Sequence, residues 1–297
     1  ESRHIPFVLL THFSKEIYRR IALQDTSAVD YMFSWHGNAD LIVAIIKLFE
    51  DLKNSENDII DKGVQAILLV EDSVRFYSTY LPELYKLILK QSSEFLKETL
   101  NEQQRKFRKR SRPKILLATN LDDALQMYTR YRNNLLGVIS DVGFTVHKGD
   151  SADMEKLDAG IDLVKHIKAD NEKMPILLQS SQDSISAVAK ELGVGFLRKY
   201  SKTLMLQLSD FIKEEFGFGD FVFRDANHVE YGRAANLKEL EAIIREVPDE
   251  VLLYVTSKNM LSKWFMARGL FTLGERFRTV LETQFGTVSD LRAYVSQ

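Results

Sequence analysis

Between residues 66 and 216, short apolar runs alternate with longer segments whose apolar positions recur at helical spacing. The apolar runs have the length of buried strands and are Ala66–Val70, Lys114–Ala118, Gly137–Ser140, Ile176–Leu178 and Gly195–Leu197. The predicted helices are Val74 to about Arg110, Leu121–Arg132, Gly160–Ala169, Ser184–Leu192 and Lys202–Phe216. Strands that alternate with helices predict right-handed crossovers and a parallel sheet, so we expect an α/β fold with five strands.

Two further segments flank this alternation. The first sixty residues predict a strand, a helix capped by Ser14, a strand and a helix, namely Ile5–Leu10, Lys15–Leu23, Tyr31–Phe33 and Ala39–Leu52. Asn54–Lys62 is polar and predicts a linker. After Gly217–Phe221, Leu237–Glu246 and about Ser257–Leu281 predict helices, with a turn at Pro248 between them. The expected division of the chain is therefore 1–60, 61–217 and 218–297.

Four of the five central apolar runs are followed or ended by polar side chains. Glu71 and Asp72 follow the first run, Asp141 follows the third, Ser180 follows the fourth and Lys199 follows the fifth. The carboxyl ends of parallel strands converge on one edge of a sheet, where ligands bind, so we expect these side chains to meet. Three carboxylates, a hydroxyl and an ammonium suit a Mg²⁺-assisted transfer of a phosphoryl group onto an aspartate.

This order of residues resembles the receiver domain of two-component response regulators over about residues 61–217. The resemblance implies a flavodoxin-like, doubly wound five-stranded sheet, with Asp141 as the phosphoacceptor. It also implies that Asp72, Asp141 and the backbone carbonyl of Gly143 bind Mg²⁺ and that Glu71 holds a bound water. A phosphatase of the haloacid-dehalogenase type is a weaker interpretation, because that chemistry needs a second aspartate where Gly143 stands.

The same resemblance implies roles for the later polar residues and for a partner. Lys199 and Ser180 would bind the phosphoryl oxygens, Ser180 and Phe196 would form the switch, and a histidine kinase or other donor would supply the phosphoryl group. The family usually has proline after its lysine, whereas Tyr200 stands there, and Thr145–Leu157 is an insertion that could cover the site. Tyr200, together with the degenerate receiver-like copy in the first sixty residues, favours an alternative, a pseudo-receiver that is not phosphorylated and acts as a protein-interaction scaffold.

The flanking segments carry resemblances of their own. The first sixty residues resemble the last two strands and helices of a second receiver, with Thr11 at the hydroxyl position and Ser34 in place of the lysine, which implies an inactive copy. We expect the edge of its first strand to pair with the central sheet or with another chain. Phe221–Arg224 and Asn259–Arg268 resemble bacterial proteins similar to phosphoenolpyruvate synthase, which implies a downstream catalytic domain as the output. The Trp264–Arg268 stretch itself is expected to be helix core.

The long helix after Val74 has apolar side chains at a spacing of about 3.5 residues. These positions are Tyr77, Leu81, Leu84, Ile88, Gln91 and Phe95. Either this face packs on the sheet, or the helix protrudes and pairs with a partner or with a second copy as a homodimer. A basic cluster follows, formed by Arg105, Lys106, Arg108, Lys109, Arg110, Arg112 and Lys114. It could be a nucleic-acid patch, but we expect a solvated helix end, where cations are favourable, and no nucleic-acid partner.

Composition narrows the functional classes. The chain of 297 residues is 45% hydrophobic and 28% charged with a formal net charge of -2, so nothing attracts it globally to nucleic acid or to a membrane surface. The absence of cysteine excludes disulfides, thiol catalysis and cysteine-based metal sites, and it fits a cytoplasmic location. No apolar stretch approaches the ~20 residues that span a bilayer.

Other catalytic patterns are missing from the sequence. It contains no glycine-rich phosphate loop of Walker or Rossmann spacing, and its 6 histidines show no paired metal-ligand spacing. His147 lies in the loop after Asp141 and could approach the predicted site, but we expect a surface-loop histidine. The sequence therefore predicts no complete enzyme active site beyond the proposed phosphoacceptor.

Overall fold

The computed structural model describes residues 5–12, 28–97, 111–151, 154–278 and 284–296. Strands β1 (Val8–His12) and β2 (Tyr31–Trp35) pair in parallel as a separate two-stranded sheet. These strands therefore do not join the central sheet, although the segment contacts it where the Tyr31 hydroxyl donates to the Leu117 carbonyl at 3.3 Å, and the alternative of pairing with another chain stays a prediction. The predicted helix Lys15–Leu23 and its cap Ser14 lie outside the described residues.

Helix α1 (Asp40–Ser55) continues directly into a π-helical segment, Glu56–Asp61. The prediction of a linker over Asn54–Lys62 is wrong. Polar side chains dominate this stretch, but Ile59 is fully buried in the core on one face of the central sheet. Besides Ile59, Asp58 pairs with Lys114 at 2.8 Å and Glu56 pairs with Arg130 at 2.5 Å, so apolar and ionic contacts together hold the segment against the central domain.

The central sheet contains five parallel strands in the order β4-β3-β5-β6-β7. Their bounds are β3 (Ala66–Val70), β4 (Lys114–Ala118), β5 (Leu135–Asp141), β6 (Ile176–Ser180) and β7 (Gly195–Arg198). The first strand of the sheet thus lies between the second and the third, which is the order of flavodoxin-like doubly wound folds. The predicted α/β fold class is confirmed.

Helices cover both faces of this sheet. They are α2 (Val74–Lys97), α3 (Leu121–Tyr131), α4 (Ala159–Asp170), α5 (Ile185–Glu191) and α6 (Leu204–Glu215). Ile67 and Leu69 belong to the core shared with α2 and α6, whereas Leu68 and Val70 belong to the core shared with α3, α4 and α5. Strands buried on both faces explain why the sequence shows continuous apolar runs and no alternation with polar residues.

The apolar face of α2 is covered by this same chain. The buried positions on that face are Tyr77, Leu81, Leu84, Ile88 and Phe95. The first sheet also packs here, and the Ser34 N–H donates a hydrogen bond to Ser78 Oγ at 2.9 Å. The structure therefore agrees with the packing hypothesis for this part of the helix. Beyond Lys97, the predicted continuation to about Arg110 lies outside the described residues.

A buried carboxylate ties α1 to the edge of the central sheet. Asp51 is 0% exposed and contacts Arg112 at 2.5 Å, the Tyr85 hydroxyl at 2.9 Å and the Ile115 N–H at 3.0 Å. Lys114 lies 3.7 Å from the same carboxylate. The prediction of a solvated basic cluster is thus wrong for Arg112 and Lys114, because both serve as counter-charges to α1. The basic residues from 105 to 110 lie outside the described residues.

A β-hairpin and five short helices follow α6 in the described part of the chain. Strands β8 (Phe221–Arg224) and β9 (Glu230–Ala234) are antiparallel. The helices are α7 (Leu237–Glu246), α8 (Asp249–Ser257), α9 (Met260–Ala267), α10 (Phe271–Arg278) and α11 (Val288–Val295). None of the helices in the described ranges is both long and apolar enough to cross a membrane.

The segment expected to be helical over about Ser257–Leu281 forms two helices, α9 and α10, and its last three residues lie outside the described part of the chain. Asn259, whose φ of 57° is left-handed, separates α8 from α9, and Gly269, whose φ is 70°, separates α9 from α10. After these breaks α9 turns Trp264 inward, and its indole N–H donates to the Gly219 carbonyl at 3.0 Å. Arg268 stacks on that indole at 3.6 Å, so the stretch is core, as expected.

We predict that Asp51→Ala destabilises the chain by about 3 to 5 kcal/mol, because it removes the carboxylate partner of Arg112 and the acceptor of the Tyr85 hydroxyl and the Ile115 N–H, while Lys114 keeps only Asp58. Urea unfolding followed by circular dichroism measures the change. Glu50→Ala is the control, since the neighbouring Glu50 carboxylate is exposed and pairs only with Lys47; it should cost under about 1 kcal/mol. Equal losses for the two variants would contradict a structural role for Asp51.

Candidate functional site

Three carboxylates meet at the carboxyl edge of the central sheet. In β3 and β5, Val70 pairs with Ser140, so the residues that follow them emerge side by side. Oxygen atoms of Glu71, Asp72 and Asp141 all lie within 4.8 Å of one another. The structure therefore brings together the three acidic residues that the sequence placed at strand ends.

The ammonium of Lys199 lies among these carboxylates. Its Nζ is 2.5 Å from Asp141 Oδ2 and 2.8 Å from Glu71 Oε2, and the side chain is only 6% exposed. The backbone positions it, because the Lys199 N–H donates to the Ser180 carbonyl at 2.8 Å as β7 ends beside β6. The Phe76 ring of α2 lies 4.1 Å from the same Nζ. Lys199 thus supplies a buried positive charge between two carboxylates and an aromatic face.

Burial and mutual repulsion set the electrostatics of the cluster. Burial, reinforced by the charge of Asp141, raises the pKa of Glu71 well above its ordinary value. Burial and the charges of Asp141 and Glu155 raise the pKa of Asp72 to about 6. Burial alone would lower the pKa of Lys199, but the two carboxylates beside it outweigh that effect and raise it. The charged form of Lys199 is therefore favoured, whereas burial and mutual repulsion disfavour the charged forms of Glu71 and Asp72.

Ser180 and Phe196 occupy the neighbouring strands. Ser180 ends β6, one residue beyond the position paired with Asp141, and its Oγ accepts a hydrogen bond from the Gln182 N–H at 3.2 Å. Phe196 lies in β7, half-buried against the core beneath α3, α4 and α5. The structure thus places the predicted hydroxyl at the same edge and the predicted switch residue beside the core.

One acidic residue near this edge was missed by sequence reasoning. The insertion after Asp141 folds back, since Phe144 and Lys156 form an isolated antiparallel bridge. This bridge brings Glu155 over Gly143, where a Cβ atom would meet Glu155 Oε1 at 2.3 Å. A side chain at position 143 would have to displace the flexible end of Glu155, and the Glu155 carboxylate adds a fourth negative charge close to Asp72. No local pattern in the sequence marks Glu155, because only the bridge determines its position.

The remaining predicted positions lie away from the carboxylates. His147 is exposed and its Nδ1 lies 2.7 Å from Asp122 Oδ2, in agreement with a surface-loop histidine. Tyr200, in place of the family's proline, has a left-handed φ of 66°. The centres of the Tyr200 and Phe76 rings lie 5.2 Å apart, and Phe76 is the ring that the Lys199 ammonium contacts.

The equivalent positions of the first segment show a different arrangement. The Ser34 side chain is fully buried, and its hydroxyl has no hydrogen-bond partner among the described residues. The Thr11 hydroxyl donates only to the His12 carbonyl, at 3.3 Å. Across the described ranges, Glu71, Asp72 and Asp141 are the one group of three acidic, histidine or cysteine side chains close enough to share a metal ion.

The carboxylate cluster fits a hard divalent cation. Glu71 is 1% exposed, and its Oε2 has the Lys199 ammonium at 2.8 Å. Three carboxylates face this one ammonium, and oxygen atoms are the ligands that Mg²⁺ prefers. The excess of negative charge in a largely buried cluster is the environment in which such an ion is favourable.

Comparisons with known proteins identify no relative in sequence. No protein-family model and no curated protein matches the chain. Among solved structures, it is similar to a response regulator receiver domain protein from Clostridium thermocellum at 20% identity, covering 50% of this chain and 91% of that chain with a TM-score of 0.33. Full-length FixJ from B. japonicum has 19% identity, covering 78% and 98% with a TM-score of 0.31.

We predict that Lys199→Met destabilises the chain by about 3 kcal/mol at pH 7 in EDTA, because Glu71 and Asp141 are then left as unpaired buried carboxylates. Chemical unfolding measures the change. Lys202→Met is the matched control, since this nearby lysine is exposed. If both variants unfold at the same denaturant concentration, Lys199 does not neutralise the cluster.

Proposed function

We propose that residues 61–217 form a phosphorelay receiver that accepts a phosphoryl group on Asp141 in the presence of Mg²⁺. The observation that carries the proposal is the buried Lys199 ammonium, 2.5 Å from Asp141 and 2.8 Å from Glu71 at the carboxyl edge of the sheet. Three carboxylates around one ammonium suit a site that takes up a cation and a phosphoryl group.

The metal would be held by Asp72, Asp141 and the Gly143 carbonyl, with Glu71 holding a bound water. When bound, Mg²⁺ offsets the repulsion between an incoming phosphoryl group and the carboxylates. An Asp141 carboxylate oxygen forms the new bond to phosphorus, the bond between phosphorus and the donor breaks, and the donor keeps that electron pair. Lys199 neutralises charge that develops on the phosphoryl oxygens.

The later steps involve the neighbouring strands. A phosphoryl group on Asp141 changes the charge beside Lys199, and the hydroxyl of Ser180, one residue beyond the position paired with Asp141, would turn toward the new oxygens. Phe196 is half-buried and can then occupy a second packing against the core. Two packings that differ by a few kcal/mol are enough to report phosphorylation to a partner through the surface around residues 181–204.

The proposed partners follow from this chemistry and from the resemblances. A histidine kinase or another phosphoryl donor would load Asp141. A downstream catalytic domain similar to phosphoenolpyruvate synthase would be the output. This proposal is supported only by the sequence resemblance of stretches within residues 218–297. Pairing of two copies through α2 has less support, because the apolar face of that helix is buried within the chain from Tyr77 to Phe95.

A second candidate function is a scaffold that is never phosphorylated. Two observations favour it: Glu155 lies over Gly143, and Tyr200 lies over the Phe76 ring beside Lys199. Both side chains occupy space near the edge that a donor must reach. In this interpretation the carboxylates and Lys199 stabilise the fold, and the receiver surface serves only for docking.

We predict that incubation with acetyl phosphate and Mg²⁺ adds one phosphoryl group to the wild-type chain and none to Asp141→Asn, as measured by intact mass. Asp122→Asn, an exposed aspartate outside the cluster, should be labelled like the wild type. Labelling of Asp141→Asn would identify a different acceptor. An unlabelled wild type would favour the scaffold.

We also predict that Mg²⁺ raises the melting temperature of the wild-type chain and has little effect on Asp72→Asn. In EDTA, Asp72→Asn should melt above the wild type, because one of three mutually repelling carboxylates is gone. Differential scanning calorimetry with and without Mg²⁺ measures both changes, with Asp122→Asn as the control. A Mg²⁺ shift of equal size in Asp72→Asn and wild type would place the ion elsewhere.

A further inference from the structure

A second concave site lies at the opposite, amino-terminal edge of the central sheet. Its cavity of about 740 Å³ is lined by the segments that precede β6 and β7 and by the end of α8 and the start of α9. This volume is in the range of small-molecule pockets. The cavity therefore joins the sheet to the helices that follow it, far from the carboxylate cluster in the topology of the fold.

Five lysines line this cavity, and one of them, Lys213, pairs with Asp210 at 3.6 Å. The other four converge from both sides, Lys168 and Lys173 from the sheet side and Lys258 and Lys263 from the helical side. Among the described residues, none of these four forms an ion pair with a carboxylate, whereas the lining acids Glu214 and Glu215 pair with Arg224 at 3.2 and 3.0 Å. Glu172 and Asp220 are the other lining acids, so five lysines and Arg224 face four carboxylates and the cavity has a surplus of positive charge.

The hydrogen bonds of these ammonium groups hold them in place and leave donors unused. Lys168 Nζ donates to the carbonyls of Glu172 and Met174 at 2.7 and 3.1 Å, and Lys263 Nζ donates to the Lys173 carbonyl at 2.9 Å. An ammonium has three N–H donors, so both groups retain capacity for a ligand. Lysines anchored by backbone carbonyls are already oriented, which lowers the entropic cost of binding.

Burial and mutual repulsion disfavour the charged forms of the lysines in this cavity. Burial is the main reason that the pKa of Lys263 falls to about 8; Glu215 opposes the shift, and Lys168, Lys173 and Lys258 add to it. Burial also lowers the pKa of Lys168, with Lys258 contributing. Such groups are stabilised when an anion binds among them.

We propose that this cavity, the lysine cavity, binds a phosphorylated small molecule that carries two or more negative charges. Its concave shape excludes extended nucleic acid, and the half-buried Tyr254 ring provides a wall for an organic group next to the charges. A ligand held by Lys168 on one side and by Lys258 and Lys263 on the other would fasten α8 and α9 to the sheet. The site is independent of phosphorylation at Asp141.

Isothermal titration calorimetry with pyrophosphate and with ADP tests the lysine cavity. The titrations use the full chain in EDTA at constant ionic strength, so that no metal can recruit an anion to the carboxylates. We expect both probes to bind wild type, and adenosine not to bind. Lys258→Gln should weaken binding about tenfold, and Lys258→Gln with Lys263→Gln about a hundredfold, each tenfold step corresponding to one lost charge contact.

Controls separate loss of charge from loss of fold. Lys238→Gln removes an exposed lysine of α7 outside the cavity and should bind like the wild type, and Lys258→Arg should retain binding. If the double variant fails to fold by circular dichroism, the exposed Lys258 single variant decides the test. The proposal is overturned if neither probe binds, if the lysine variants bind as tightly as wild type, or if adenosine binds as tightly as ADP.

Discussion

The contact of one buried ammonium with two carboxylates is the interaction on which the proposed site depends. β3 and β5 are neighbours, so the residues that end them cannot avoid one another, and Glu71 and Asp141 meet in surroundings of low dielectric. Lys199 arrives from β7, two strands from β5, and its ammonium contacts both carboxylates. Without it the strand ends would carry uncompensated charge, which folding tolerates poorly.

The same interaction connects structure to function. A lysine that contacts both carboxylates can change partners when the charge on either one changes, and Phe76 and Tyr200 pack directly around it. A local change in charge is thereby coupled to aromatic side chains on α2 and after β7. At the opposite, amino-terminal edge of the sheet, the lysine cavity carries an excess of positive charge. The two edges of one sheet thus present sites of opposite charge.

The sequence misled where burial contradicts local polarity. Asn54–Lys62 is polar, yet it is helical because Ile59 enters the core. Arg112 belongs to a basic run typical of solvated helix ends, yet it is buried because Asp51, 61 positions earlier, needs a counter-charge. The predicted helix beyond Ser257 is interrupted because Gly269 adopts a left-handed conformation that apolar periodicity does not register.

The sequence alone determined the strands of the central sheet and the polar residues at its carboxyl edge, because strand length, apolar runs and polar strand ends are local properties. It could not determine that Glu155 lies over Gly143, since one bridge across the insertion decides this. Nor could it show that Lys168 and Lys263 share a cavity, or that β1 and β2 form their own sheet. These arrangements join residues distant along the chain, and only the packing of the folded elements brings their side chains together.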